Sequence, residues 1–96
     1  MLILRKEAEE DIRSAQAWYE SQRENLGRAF VTEIDRTLES IREHPEAYPQ
    51  YFKTARRALC RRFPYAVYFV YDNSDIMILA VLHQRRHPAT LRSRGR

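Results

Sequence analysis

Eight cationic or potentially cationic side chains in the second half of the chain are the residues best equipped for chemistry. Arg56, Arg57, Arg61 and Arg62 fall in one stretch, and His83, Arg85, Arg86 and His87 in another. Arginine is permanently charged and its planar fork matches phosphate oxygens, so two such clusters brought together would grip an RNA or DNA backbone. They would also offset the charge that builds on a phosphorane-like transition state. Metal-free RNA cleavage needs, in addition, a base for the 2′-hydroxyl and an acid for the leaving oxygen. His83 or His87 suits either task, because an unperturbed imidazole titrates near pH ~6.5. As a nuclease the chain would therefore rely on Arg57, Arg61, His83, Arg85 and His87. Its target or phosphate contacts would be Arg57, Arg61, Arg62, Arg85 and Arg86. Plainer readings stand beside these. A histidine ending a strand is often a hydrogen-bonded structural residue, and the arginine pairs can serve acidic helices or an acidic partner segment.

Other chemistries find little support. The two glycines, Gly27 and Gly95, form no phosphate-cradling loop. His83 and His87 in an extended chain would stand about 13 Å apart at ~3.3 Å per residue, too far to share a metal. The serines and Cys60 lack the setting of an activated nucleophile. No cofactor or metal is expected. A lone cysteine, no signal-peptide pattern after Leu2-Ile3-Leu4 and no run of about 18 apolar residues point to a reducing cytoplasm and no membrane span.

The formal charge of +4 conceals an asymmetry. Residues 1–50 carry 7 Lys+Arg against 11 Asp+Glu, whereas residues 51–96 carry 10 against 2. A protein with one side facing an anion, whether a polyanion or an acidic protein, would show this asymmetry, and a simply solvated basic surface is the plainer reading.

Several elements must position these residues. The apolar runs 65–71 and 76–82 flank Asp72-Asn73-Ser74-Asp75 and read as a hairpin. In the first run, alternation places Tyr65, Val67, Phe69 and Tyr71 opposite Ala66, Tyr68 and Val70. In the second it places Ile76, Ile78, Ala80 and Leu82 opposite Met77, Leu79 and Val81. Both faces are apolar, as suits a sheet centre. Leu2-Ile3-Leu4 reads as a first strand, and a further strand spans about 55–62. Ala8, Ile12, Ala15 and Tyr19 form one helical stripe, ending near Gln22 or Arg23. Leu26, Phe30, Ile34, Leu38 and Ile41 form a second, capped by Asn25 and stopped by His44-Pro45. Trp18 reads as core packing, or else as a partner-groove anchor. Tyr48, Tyr51 and Phe52 read as plugs over the core. The order β-α-α-β-β-β describes an α+β domain: an N-terminal strand, an antiparallel helical hairpin, then a three-stranded antiparallel meander. One domain covers residues 1–88, and the basic tail 89–96, with Arg92, Arg94 and Arg96, is expected to fray.

The segments DIRSAQAWYESQRENLGRAFVTEID, HPEAYP, RRALCRRFPYAVYFVY and ILAVLHQRRHP, in that order, resemble the RelE/ParE toxins of type II toxin–antitoxin modules. The resemblance runs from about Ala8 to Pro88. It implies a small bacterial α+β toxin with no cofactor, held as a hetero-oligomer by a cognate antitoxin. Trp18, Arg56 and Arg62 are the candidate antitoxin contacts. RelE-like members cleave mRNA on the ribosome, whereas ParE-like members poison DNA gyrase. The LGRAF, FPY and HQRRHP segments are more similar to the ParE branch, and the C-terminal tyrosine of many RelE-like nucleases is missing, since none follows Tyr71. The resemblance thus implies a gyrase inhibitor that blocks replication. The alternatives are a ribosome-dependent endonuclease and a non-catalytic binding module.

Overall fold

A computed structural model describes residues 1–86, 89–92 and 94. The two amphipathic stripes form α1 (Lys6–Gln22) and α2 (Leu26–Glu43). Only Arg23, Glu24 and Asn25 separate them, so they return on each other as an antiparallel hairpin. Gly27 is essential to their closeness. A Cβ there would stand 2.7 Å from the Gln16 carbonyl oxygen.

Asn25 occupies the N-cap of α2, but its side chain makes no cap bond and its φ of 70° lies in the left-handed region. Glu20 of α1 does the capping instead. Its carboxylate accepts the Asn25 and Gly27 N–H groups, each at 2.9 Å. These two bonds, that from Asn25 foremost, hold the Glu20 carboxyl below the usual carboxylate range. A folded-state value below the unfolded one means that the stabilisation is complete above the unfolded pKa. It is lost as pH falls through the folded value. Glu20→Gln should therefore melt below the wild type at neutral pH, with the difference closing as pH falls and the Glu20 carboxylate is protonated. Parallel melting curves at every pH would contradict this.

After a 3-10 turn at Pro45–Ala47 come β2 (Gln50–Phe52), β3 (Ala55–Leu59), β4 (Tyr65–Asp72) and β5 (Asp75–His83), with β1 at Leu2–Leu4. The sheet order is β1-β5-β4-β3-β2. The hairpin of β4 and β5 is central, as its two apolar faces require. Its turn is tight: Asp72 pairs with Asp75, and Asn73 and Ser74 both take positive φ, the pattern of a two-residue type I′ connection.

Three details depart from the sequence reading. The sheet is mixed, because β1 runs parallel to β5. Tyr51 and Phe52 belong to an additional edge strand rather than a loop: Tyr48 packs edge-on to Phe69 on the helix side, Phe52 packs against the cluster on the far face, and Tyr51 is exposed. The alternation along β5 breaks at a bulge. Tyr68 faces Ala80 and Phe69 faces Ile78, so Leu79 is the extra residue. Beyond it the side chains change face: Val81 joins Ile76 and Ile78 beneath the helices, and Ala80 and Leu82 join Leu79 on the far side.

The core thus has two layers. Ala8, Ala15, Phe30, Ile34 and Ile41 meet Ala58, Cys60, Val67, Phe69, Ile78 and Val81 on the helix side. The alanines of α1 let that helix approach the sheet closely. Ala55, Ala66, Tyr68, Leu79 and Leu82 form a smaller cluster on the other side. The tail expected to fray helps to cover it: Ala89–Arg92 forms a short helix, α3, whose Leu91 is 1% exposed.

Candidate functional site

The chain end of β5 and the loop between β3 and β4 lie together, since the Gln84 N–H donates to the Pro64 carbonyl at 2.8 Å. That contact brings the two cationic stretches to one end of the sheet. Arg61, Arg62, Arg85 and Arg86 are all exposed there.

The sheet nevertheless divides the nuclease candidates. His83 pairs directly with Tyr65 across the β4–β5 ladder, so both side chains stand on the helix side. The His83 ring lies edge-on to Tyr65, and its Nδ1 accepts the Arg85 N–H at 3.1 Å. Arg57 points to the opposite face. Its guanidinium stacks 4.3 Å from the Tyr51 ring centroid, lies 5.8 Å from that of Tyr68, and donates through Nη2 to the Gln84 carbonyl. His83 and Arg57 therefore present their side chains on opposite faces of the sheet. His87 lies outside the described residues.

Burial raises the Tyr68 hydroxyl above the usual phenol range, with Arg57 pulling the other way, so Tyr68 stays a neutral ring beneath the cation. Burial likewise raises Tyr65, with Arg86 opposing. The Cys60 thiol is pushed up by burial despite its hydrogen bond from Thr37, which makes it inert as a nucleophile.

The remaining candidates divide between two grooves. Trp18 is 58% exposed, not core: α1 turns only its Ala8–Ala15–Tyr19 stripe to the sheet, and position 18 falls about 100° away. It lines a groove of about 310 Å³ with Asp11, Ser14, His83 and Arg86. Arg56 is partly committed, donating to the Tyr48 carbonyl at 2.6 Å. Arg62 lies on a larger groove of about 600 Å³ between α2 and the outer edge of β3, with Glu33, Arg36, Tyr48, Leu59 and Arg61.

Sequence reasoning missed Tyr51, the ring that carries Arg57, because a three-residue edge strand has too short a pattern to read. It also missed Leu59, which is 56% exposed. That leucine looked like ordinary strand filling.

A family model for the ParE toxin of type II toxin–antitoxin system, parDE, matches residues 2–88. The chain belongs to this family. No curated protein matches the sequence significantly. In fold, this ParE-family chain is similar to a solved structure titled "Chromosomal ParDE TA system from P. aeruginosa". The TM-score is 0.64 at 15% identity, over 85% of this chain and 92% of that one. Among the described residues, no helix is long and apolar enough to cross a membrane.

Proposed function

We propose that this ParE-family toxin acts in the cytoplasm by inhibiting DNA gyrase, and that a cognate antitoxin neutralises it within a hetero-oligomer. The observation that carries the reading is the separation of His83 from Arg57 by the sheet. That separation favours action by contact over acid–base cleavage by His83 with Arg57, and in this reading Arg61, Arg62, Arg85 and Arg86 supply the contact. Their charges gather at one end of the fold, next to the Gln84–Pro64 junction, as suits an acidic or nucleic-acid-bearing target.

The test is supercoiling of relaxed plasmid by purified gyrase in the presence of the folded, antitoxin-free chain. Inhibition with trapped, cleaved DNA is expected. Reversing Arg85 and Arg86 to glutamate should weaken inhibition about 10-fold or more, since each lost charge-assisted contact is worth about 1.5–3 kcal/mol. Binding to the antitoxin, measured in parallel, reports that the variant is folded. Unimpeded supercoiling with cleavage of translated mRNA would replace this reading with the endonuclease one. Normal growth on expression of the folded chain alone would replace it with a binding module.

A further inference from the structure

Trp18 is the chain's only tryptophan, and it stands exposed on α1 beside the end of β5. Leaving an indole in water forgoes one of the largest apolar burials that a side chain offers. Its place is nonetheless fixed. The ring meets Tyr19 nearly at right angles, with centroids 5.1 Å apart, and Tyr19 packs in turn against Phe30 and Phe63. A perpendicular contact engages at most one face of the indole, so a flat aromatic surface is left for something else.

The facing wall of the groove is cationic. His83 holds both ends of the turn that follows β5: its Nδ1 accepts the Arg85 N–H, and its carbonyl accepts the Arg86 N–H at 2.9 Å. That turn sets the exposed Arg86 on the groove, beside the Tyr65–His83 ring pair. Asp11, the acid that lines the groove, is already bound by Arg94 at 2.6 Å. Among the described residues no acid is paired with Arg86.

At about 310 Å³ the groove lies at the lower end of the range for small-molecule sites, which suits one nucleotide and not a duplex. Its polar walls, Ser14 and His83 among them, suit an apolar peptide side chain poorly. An acidic peptide would use Arg86 and leave the indole idle. A nucleotide uses both, with its base against the ring and its phosphate against the guanidinium.

We propose that the Trp18–Arg86 groove binds single-stranded DNA, one unpaired base stacking on the indole and the adjoining phosphate pairing with Arg86. This rests on the gyrase reading and deepens it: what Arg86 meets in the gyrase–DNA complex is the DNA. It gives Trp18 a role towards the target in place of one towards the antitoxin.

The lone tryptophan is its own probe. Titrating the full, antitoxin-free chain with a short oligothymidylate at low salt should quench its fluorescence to saturation. A duplex of the same length should quench far less, because its bases are already stacked on one another. Trp18→Ala, followed by the anisotropy of a labelled oligothymidylate, should weaken binding about 5- to 100-fold, and Trp18→Phe should restore most of the loss. Arg86→Gln should weaken binding and lower the slope of log affinity against log salt by about 0.7, as for one phosphate contact on a single strand. Both side chains are exposed, so the variants keep the fold, which circular dichroism checks. No quenching, or equal quenching by duplex, from a chain that does inhibit gyrase would overturn the DNA site and leave the gyrase reading standing. Quenching by a chain that leaves supercoiling untouched would overturn the gyrase reading while the site stands. Tighter binding of oligouridylate than of oligothymidylate would overturn the assignment to DNA.

Discussion

Truncation of Phe30 to alanine is expected to remove about 3–5 kcal/mol of stability, the range for a fully buried aromatic in a packed core. Phe30 is 0% exposed and sits at the centre of a ring cluster. Its centroid lies 5.3 Å from those of Tyr19 and Phe63, and 5.1 Å from that of Tyr65. Tyr19 belongs to α1, Phe30 to α2, Tyr65 to β4 and Phe63 to the loop before it. One side chain thus joins both helices to the sheet, and none of its neighbours can move in without breaking another contact. A domain of this size has about 5–15 kcal/mol in total, so the variant should unfold at far lower urea. Chemical denaturation measures this directly. A midpoint unchanged at constant slope would show that the cluster is not the keystone described.

The second large effect is expected at Asp11. Its carboxylate accepts the Val81 N–H at 3.0 Å and both terminal nitrogens of Arg94, at 2.6 and 3.3 Å. Arg94 also reaches the Leu79 carbonyl at 3.5 Å. These are the backbone groups around the β5 bulge, where β1 has already ended and no strand can satisfy them. The pair is largely shielded from water, so removing one partner strands the other. Asp11→Ala should cost about 3–5 kcal/mol, as for other broken buried pairs. Arg94→Ala should cost somewhat less, because Asp11 keeps the Val81 N–H. A double-mutant cycle should return a coupling of about 0.5–3 kcal/mol, and strict additivity would show that the two groups act independently. The cycle also tests whether the C-terminal segment is docked through Arg94.

Much of this architecture was legible before any coordinates. The stripes through Phe30 and Ala15 repeat at helical spacing, and each is long enough to fix its helix by itself. The β4–β5 hairpin carries its own turn, because Asn73 and Ser74 are bracketed by strands of the right length. The convergence of the arginine stretches was legible only on the condition that their strands lie close together, a condition that β4, paired with both β3 and β5, supplies. What was hidden shares one trait, which is dependence on partners distant in sequence. Asp11 and Arg94 lie 83 residues apart, and neither has a local reason to find the other.

The chain's local periodicities, then, determined the two helices and the central hairpin, because each rests on neighbours within a few residues. Only the tertiary structure decided that β1 runs parallel to β5 and that β2 covers part of an edge. It alone decided that Leu79 bulges, reversing the faces of Ala80 to Leu82, and that Arg57 and His83 stand on opposite sides of the sheet. The physical reason is that strand alternation is blind to register. A single extra residue turns every later side chain over, and whether it is inserted depends on backbone groups that Asp11 and Arg94 stand ready to satisfy.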